Sequence, residues 1–533
     1  MTIDVDDETG LARRPPPNPY PFGSSLVTDL LDTDPDDTDP GDPTRLALID
    51  GDRTWSRAEL RAEARRVAAV LHELGVRAGD RVAWSLPNRA ELPIGFLGTL
   101  LAGGVWLGVN QALAAPEQRY LLDDAAAGVL IASPEVVDRI GPGTGRRDLT
   151  LDDWLGAVGS ADSDAAPTVD HDPHAPAAIA YTSGTTGRPK GAVHSQHNLM
   201  WPGLVTLETH PPSPHDRQGT PLAHTILNML VLGVVSAWVR GTTGVILHHT
   251  HAAAFAAEVE HHRVTRTTLV PTIVHDLVHR DDIDPAALAS LESVIVGGAG
   301  TPARTRRAFL EKYGIRAING YGLSEAPSGI VRESPDEPID EVAAGYPMAP
   351  FALSIRDADD RPVAAGTEGE ICVAATTTGP WAGCWTPTLG YWRRPADTRS
   401  LLREGVLHTG DVGTLDGEGR LTVSGRRSEL ILRGGANVYP VEVEAVMANH
   451  PHVAEVAVYG IPDERLGQRV AASIVAAVAH PDLDHIRSYC AEHLAAYKIP
   501  SAIDVRASLP RNAMGKIVKD RIVADGIADG GAQ

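Results

Sequence analysis

Residues Tyr181 to Val193 read YTSGTTGRPKGAV, a stretch of hydroxyls, glycines and one lysine set directly behind the apolar run AAIAY. Such a loop suits phosphate. Gly184 and Gly187 let the backbone turn its N–H groups inward, Thr182, Ser183, Thr185 and Thr186 add hydroxyl donors, and Lys190 supplies a point charge. The spacing is not that of a G-x-x-x-x-G-K-[ST] loop opening a helix. A plain surface turn rarely concentrates so many donors.

Outward from this loop, RVAWSL, AAIAY, GVILHH, RTTLV and SVIVGG are short apolar runs separated by helix-like segments. Strands alternating with covering helices give an α/β body. Ser56 and Glu59 form a capping box, and Leu60, Ala64, Val67, Leu71 and Leu74 recur at helical spacing until Gly75, which predicts an amphipathic helix. Between Asp411 and Arg433 the pattern shifts to closely spaced strands, with DGEG at Asp416–Gly419 as a hairpin turn. Residues 1–43 alternate Pro and Asp, a composition that reads as an extended arm without regular elements. The expected division is arm 1–43, large domain 44–427 and small α+β domain 428–533, with Pro440 opening a helix and VAEVAVYG forming a strand.

The chain has 533 residues and a net charge of -22, which repels nucleic acid and anionic membrane, so a polyanionic ligand must be met by a local cluster of donors. The acidic amino terminus lacks a signal-like apolar segment, and the longest apolar stretches, near Ile94 to Val109 and Ile226 to Val239, read as buried core rather than spanning helices. Cys372, Cys384 and Cys490 show neither C-x-x-C spacing nor a disulfide framework, which suits a reducing cytoplasm.

The loop at 181–193 resembles the phosphate-binding loop of the adenylate-forming superfamily: acyl-CoA synthetases, luciferases and peptide-synthetase adenylation domains. In the family's order follow NGYGLSEA (Asn319–Ala326), HTGD (His408–Asp411), GRRSELILRGGANVYPVEVE (Gly425–Glu444) and PRNAMGKIVK (Pro510–Lys519). Five ordered motifs extend the resemblance over about residues 44 to 520. It implies a large ATP- and acyl-binding body, a small mobile C-terminal domain, and ATP, Mg2+ and coenzyme A as cofactors. Homodimers are common among relatives.

Gly298, Ala299 and Gly300 follow the strand SVIV, where a crevice at the strand's carboxyl end is expected. Tyr321 offers a ring face for adenine and Asn319 its amide, with Gly320, Gly322 and Ser324 in the same motif. The resemblance gives Glu325 the Mg2+, Asp411 the ribose hydroxyls, and Arg426 the ribose or a nearby phosphate. Taken alone, Glu325 reads as a solvated acid, Asp411 as a turn cap, and Arg426 as half of a surface pair with Glu429. By the same resemblance Lys516 would be the lysine that the small domain swings into the site, where it offsets charge building at the α-phosphorus. The pivot falls at Ser428, where family members usually place Asp or Lys. Gly434 and Gly435 would line a tunnel for pantetheine, and His224 would stand near the thiol's approach.

By resemblance the acyl pocket is built from the helix after PLAH, here TILNMLVLGVVSAWV with Asn228 in it, from the GGAG turn and from the segment after Tyr321. It carries no acid to pair an amino group and no base to pair a second carboxylate. A hydrophobic monocarboxylic acid is therefore the expected substrate, joined to AMP and then to coenzyme A; fatty, alicyclic and aromatic acids all remain open. Rival readings are a stand-alone enzyme loading a carrier protein, a specialist in one half-reaction, and a non-catalytic nucleotide-binding protein. The Trp-rich stretch Thr376–Trp392 braces a domain junction or faces substrate; sequence does not choose.

Overall fold

Ser56 caps the helix Arg57–Glu73 as its spacing to Glu59 requires: the Ser56 hydroxyl accepts the Glu59 amide at 3.2 Å, and the Glu59 carboxylate accepts the Ser56 amide at 2.8 Å. Leu60, Ala64, Val67 and Leu71 are buried, and Gly75 ends the segment at φ +91°. This computed structural model describes residues 3–30, 46–182, 188–298, 300–340, 343–433, 436–511 and 516–525.

The short apolar runs become strands buried on both faces, the environment of a parallel sheet covered by helices. In a first sheet, Arg147–Thr150, Val129–Ala132, Arg81–Ser85, Val105–Gly108 and Pro176–Thr182 run parallel in that order. Lys190–Ser195 and Gly390–Tyr391 extend it antiparallel. In a second, Leu46–Asp50, Thr243–Ile246, Arg217–Thr220, Arg266–Leu269, Ser293–Val296 and Ala317–Leu323 are parallel neighbours. Asn319 is the last residue of that parallel ladder, paired to Val296, and from Gly320 the same strand pairs antiparallel with Ser328–Arg332. The sheet therefore changes character inside the NGYG motif.

The remaining strands of this sheet are antiparallel, and the DGEG turn joins Val406–Leu415 to Leu421–Arg426, with Gly419 at φ +82°. A separate five-stranded sheet of Ile431–Arg433, Ala436–Val438, Val453–Asp463, Gly467–Ala476 and Ala502–Arg506 packs on helices Pro440–Ala448 and Leu483–His493 over its own apolar clusters. The architecture is α/β, with a large amino-terminal body and a separate carboxyl-terminal domain.

Two local expectations change. The Pro/Asp-rich arm does hold regular structure: Asp4–Val5 pairs with Ala12–Arg13, because Gly10 at φ +75° permits a tight return and the Asp6 side chain accepts the amides of Glu8 and Thr9. Residues 31–43 of the arm lie outside the described residues. The helix after PLAH is not uniform. Leu227–Leu230 and Ser236–Val239 flank a five-residue π turn, Val231–Val235, whose Leu232 carbonyl accepts the Gln218 amide at 2.5 Å.

The Trp-rich stretch braces the arm. The Asn18 amide donates to the Gly383 carbonyl, the Cys384 thiol to the Pro19 carbonyl, and Tyr20 stacks on His197 at 4.1 Å with its hydroxyl on the His197 carbonyl. Trp381 lies edge-on to Tyr20 and Phe22. All three cysteines are free and buried, and among the described residues no helix is long and apolar enough to cross a membrane.

Candidate active site

Asp411 and Arg426 are cross-strand partners on either side of the DGEG turn, so the hairpin itself delivers them to one place. The Arg426 Nε stands 3.0 Å from Asp411 Oδ1, and the Tyr321 hydroxyl donates to Asp411 Oδ2 at 2.6 Å. Each carboxylate oxygen keeps a lone pair beyond these bonds, enough to accept two vicinal hydroxyls. Burial opposes charge on Arg426, but Asp411 and then Glu325 outweigh it and hold the guanidinium above its ordinary pKa. Burial, reinforced by Asp411, likewise keeps the Tyr321 phenol protonated.

Glu325 faces a second cluster. The Tyr391 hydroxyl donates to Glu325 Oε1 at 2.5 Å, and Lys190 Nζ lies 5.4 Å from the Tyr391 ring centroid while pairing with Asp397 at 2.7 Å. Lys190 opens its strand opposite Thr182, at the mouth of the phosphate-type loop. Tyr391 thus joins the loop's lysine to Glu325, and neither Tyr391 nor Asp397 was singled out from sequence. The signal was Tyr391's place at the end of the Trp-rich stretch, where aromatic richness masks one functional hydroxyl. As a hard oxygen donor beside a phosphate-type loop, Glu325 fits Mg2+.

Asn319 sits where the parallel ladder ends. Its backbone N–H donates to Glu333 Oε2 at 3.3 Å, its carbonyl accepts the Glu333 amide at 3.1 Å, and its side-chain Oδ1 is buried without a partner among the described residues. Glu333 forms a two-pronged ion pair with Arg306 at 2.8 and 2.6 Å, both side chains essentially inaccessible. Arg306 also donates to the carbonyls of Thr301 and Asp340, so one buried pair braces Asn319 and the turn that begins at Gly297. Sequence reading missed both residues.

Gly298 needs φ +86°, and in Gly322 a Cβ would meet the Ser328 carbonyl at 2.1 Å. A Cβ on Gly300 would meet nothing within 4 Å, and one on Gly320 only ordinary contacts, so those two glycines leave room for something outside the chain. The Ser324 carbonyl faces His194 Nε2 at 2.8 Å.

Lys516 lies where Arg426, Asp411 and Glu429 all act on its charge. Desolvation and then Arg426 lower its pKa, against Asp411 and Glu429. Glu429 pairs with Lys519 at 2.9 Å rather than with Arg426. Ser428 is exposed in the turn Arg427–Glu429 between the two domains. His224 is fully buried, neither ring nitrogen makes a well-formed hydrogen bond among the described residues, and burial, only partly offset by the Thr220 backbone, pushes its pKa down to about 4, leaving a neutral imidazole. Its Nε2 lies 3.7 Å from where a Cβ on Gly233 of the π turn would stand. Asn228 Oδ1 is likewise buried and unpaired. Ser183, Gly184, Thr185, Thr186, Gly187, Ala299, Gly434 and Gly435 lie outside the described residues.

Tyr321, where the sheet turns antiparallel, the hairpin pair Asp411 and Arg426, and the carboxyl-terminal Lys516 act on one another, as the resemblance to adenylate-forming enzymes implies. A family model described as AMP-binding enzyme matches residues 37–380, and one described as AMP-binding enzyme C-terminal domain matches residues 442–516. The chain belongs to the AMP-binding enzyme family, and its relatives make it an AMP-forming acid–thiol ligase. It is 33% identical over 490 residues to a feruloyl-CoA synthase of an Amycolatopsis species, covering 90% of this chain and 96% of that protein. It is 32% identical over 475 residues to the long-chain-fatty-acid–CoA ligase FadD13 of Mycobacterium tuberculosis, covering 87% and 91%. The ATP-bound structure of MatB from Rhodopseudomonas palustris superposes with a TM-score of 0.84 at 28% identity, covering 95% of this chain and 99% of that one.

Proposed function

We propose that the enzyme activates a hydrophobic monocarboxylic acid as its acyl-adenylate, releasing pyrophosphate, and then transfers the acyl group to the thiol of coenzyme A. The observation that carries this reading is Lys516, from the separate carboxyl-terminal domain, lying within electrostatic reach of the hairpin pair Asp411 and Arg426. Asp411 holds the ribose hydroxyls, with Tyr321 and Arg426 fixing its carboxylate. Lys190 and the hydroxyls at its loop hold the phosphates, and Glu325, set by Tyr391, holds Mg2+, which when bound neutralises charge on the phosphate oxygens. As the substrate carboxylate oxygen attacks the α-phosphorus and pyrophosphate leaves, the Lys516 ammonium offsets the growing negative charge.

In the second step the small domain turns at Ser428, and the thiol sulfur attacks the acyl carbonyl as AMP departs. The neutral imidazole of His224 is free to accept the thiol proton there. FadD13 and the feruloyl-CoA synthase are named for fatty and aromatic substrates, and the wall Leu227–Val239 suits either, since it carries no charged side chain. Lys516→Ala tests the division of labour: acid-dependent exchange of pyrophosphate into ATP should vanish while thioester formation from supplied acyl-adenylate persists. Undiminished exchange would remove Lys516 from the mechanism. A panel of hydrophobic acids, assayed for pyrophosphate release with and without coenzyme A, identifies the acid and the acceptor.

A further inference from the structure

We propose that Glu370, Cys372 and His408 form a site for a divalent transition-metal ion of zinc type, set beside the turn that carries Asp411 and distinct from the Mg2+ position at Glu325. The strand Gly369–Ala375 alternates faces: Ile371 and Val373 point into the apolar core, and Glu370 and Cys372 share the other side. Cys372 is paired directly with His408 on the neighbouring strand Val406–Leu415, and the register shifts between Glu370 and Cys372, which re-aims the carboxylate. Cys372 Sγ lies 3.4 Å and Glu370 Oε2 3.3 Å from the same His408 Nδ1, and the three candidate ligand atoms all fall within 4.8 Å of one another.

Zinc bonds of about 2.0 Å to nitrogen or oxygen and about 2.3 Å to sulfur give tetrahedral ligand separations of roughly 3.3–3.8 Å, so two of the three edges are already at metal spacing. A thiol, an imidazole and a carboxylate suit a borderline-soft ion and not Mg2+. One Nδ1 proton can serve the carboxylate oxygen and the sulfur only through a shared, bent bond. A cation between the three removes that sharing. His408 Nε2 lies 3.5 Å from Asp360 Oδ1 without a hydrogen bond between them, so a carboxylate stands near the ring's other nitrogen. Asp360 sits at φ +64° in the turn Asp357–Arg361.

Arg403 stands 3.6 Å from Glu370 Oε2 and 3.8 Å from Asp360 Oδ2, with Arg427 3.9 Å from the same Glu370 oxygen, so guanidinium charge competes with the ion for these acids. On binding, the S–H bond breaks, its proton passes to solvent, and the sulfur–metal bond forms with no change of oxidation state. Glu370 Oε1 accepts the Gly410 amide at 3.1 Å, which ties an ion held here to the residue preceding Asp411. The other imidazole cluster, His450, His452 and His485, is instead a hydrogen-bonded chain: His450 Nδ1 accepts the His452 amide at 3.1 Å, so its Nε2 carries the proton offered to His485.

The test titrates Co2+ into chelator-treated, tag-free full-length protein. One Co2+ per chain should bind with thiolate-to-cobalt absorption in the near ultraviolet, and Zn2+ should abolish it. Cys372→Ser should lose the band and Cys490→Ser keep it. Arg403→Ala should tighten binding several-fold, because a competing cation is gone. Folding of each variant is checked by circular dichroism. Absence of the band in the wild-type protein, its persistence in Cys372→Ser, or weaker binding in Arg403→Ala would each overturn the site.

Discussion

The buried Arg306–Glu333 pair allows stability and nucleotide binding to be pulled apart. Both side chains are essentially inaccessible, and their two-pronged contact is 2.8 and 2.6 Å. Glu333→Leu strands the Arg306 charge and removes the acceptor of the Asn319 amide; breaking one side of such a pair costs roughly 3–5 kcal/mol, and the orphaned amide about 1 more. Adding Arg306→Met removes the stranded charge but leaves the carbonyls of Thr301 and Asp340 unpaired, about 1–1.5 kcal/mol each. The Asn319 amide stays orphaned, so the double variant should lie about 3–4 kcal/mol below wild type, above Glu333→Leu alone at about 4–6. Urea unfolding followed by tryptophan fluorescence measures this. The same double variant should still show at least a ~10-fold higher KM for ATP, because Asn319 and the turn at Gly298 have lost their shared brace. A double variant as unstable as Glu333→Leu, or one with unchanged KM, would refute the assignment of Arg306 and Glu333 as the frame of the nucleotide wall.

Tyr391→Phe removes a hydrogen bond to a carboxylate, worth about 1.5–3 kcal/mol, so kcat/KM for MgATP in adenylation should fall ~10–100-fold with thioester formation from supplied adenylate unaffected. His224 has a folded pKa of about 4 against an ordinary 6.5, so the unfolded chain takes the proton first; its stability term is intact above pH 6.5 and is lost as pH falls toward 4. Between pH 7.5 and 4.5 that amounts to about 2.5 kcal/mol, which His224→Asn should subtract from the pH dependence of the urea midpoint; an unchanged dependence would show that the imidazole is not held neutral. Arg304 crosses from the body to the carbonyls of His450 and Val453 at 3.3 and 2.9 Å, so Arg304→Ala should loosen the docked small domain by about 1–2 kcal/mol. Adenylation should then fall up to ~10-fold while thioester formation from supplied adenylate holds, and an equal loss in both would exclude a role in docking.

The parts of the site legible from sequence are those whose partners are fixed by local geometry. Asp411 and Arg426 stand almost symmetrically about the DGEG turn, so a hairpin alone pairs them, and strand SVIV and the capping box each sit within a few residues of their own cause. What was hidden depends on distant chain. Arg306 looks like one of several surface charges in ARTRRAFLEK, and only the sheet brings Glu333 beneath it. Tyr391 reaches Glu325 because its two-residue strand pairs with Ala192, a register that composition does not encode. The π turn at Val231–Val235 is invisible in a run so apolar that no period stands out, and it is Gln218, from a separate strand, that takes the carbonyl of Leu232.

These placements explain how one nucleotide grip can serve both half-reactions of the proposed cycle. Asp411, Tyr321 and Arg426 all precede Ser428, so their mutual bonds are untouched by rotation there, and AMP stays held. Glu429, Glu444 and Lys519 all follow it, and the Lys519 pairs at 2.9 and 2.8 Å travel with the small domain. Neither set opposes the turn. The interactions that must break are those crossing the pivot, Arg304 to the carbonyls of His450 and Val453 among them, together with the proximity of Lys516 to Asp411. Lys516 carries a charge that crowding and Arg426 disfavour, so its departure also relieves a like-charge contact beside the ribose grip. Once pyrophosphate has left, the negative charge that made Lys516 worth holding there is smaller, and the balance tips toward release, opening the space through which a thiol must enter.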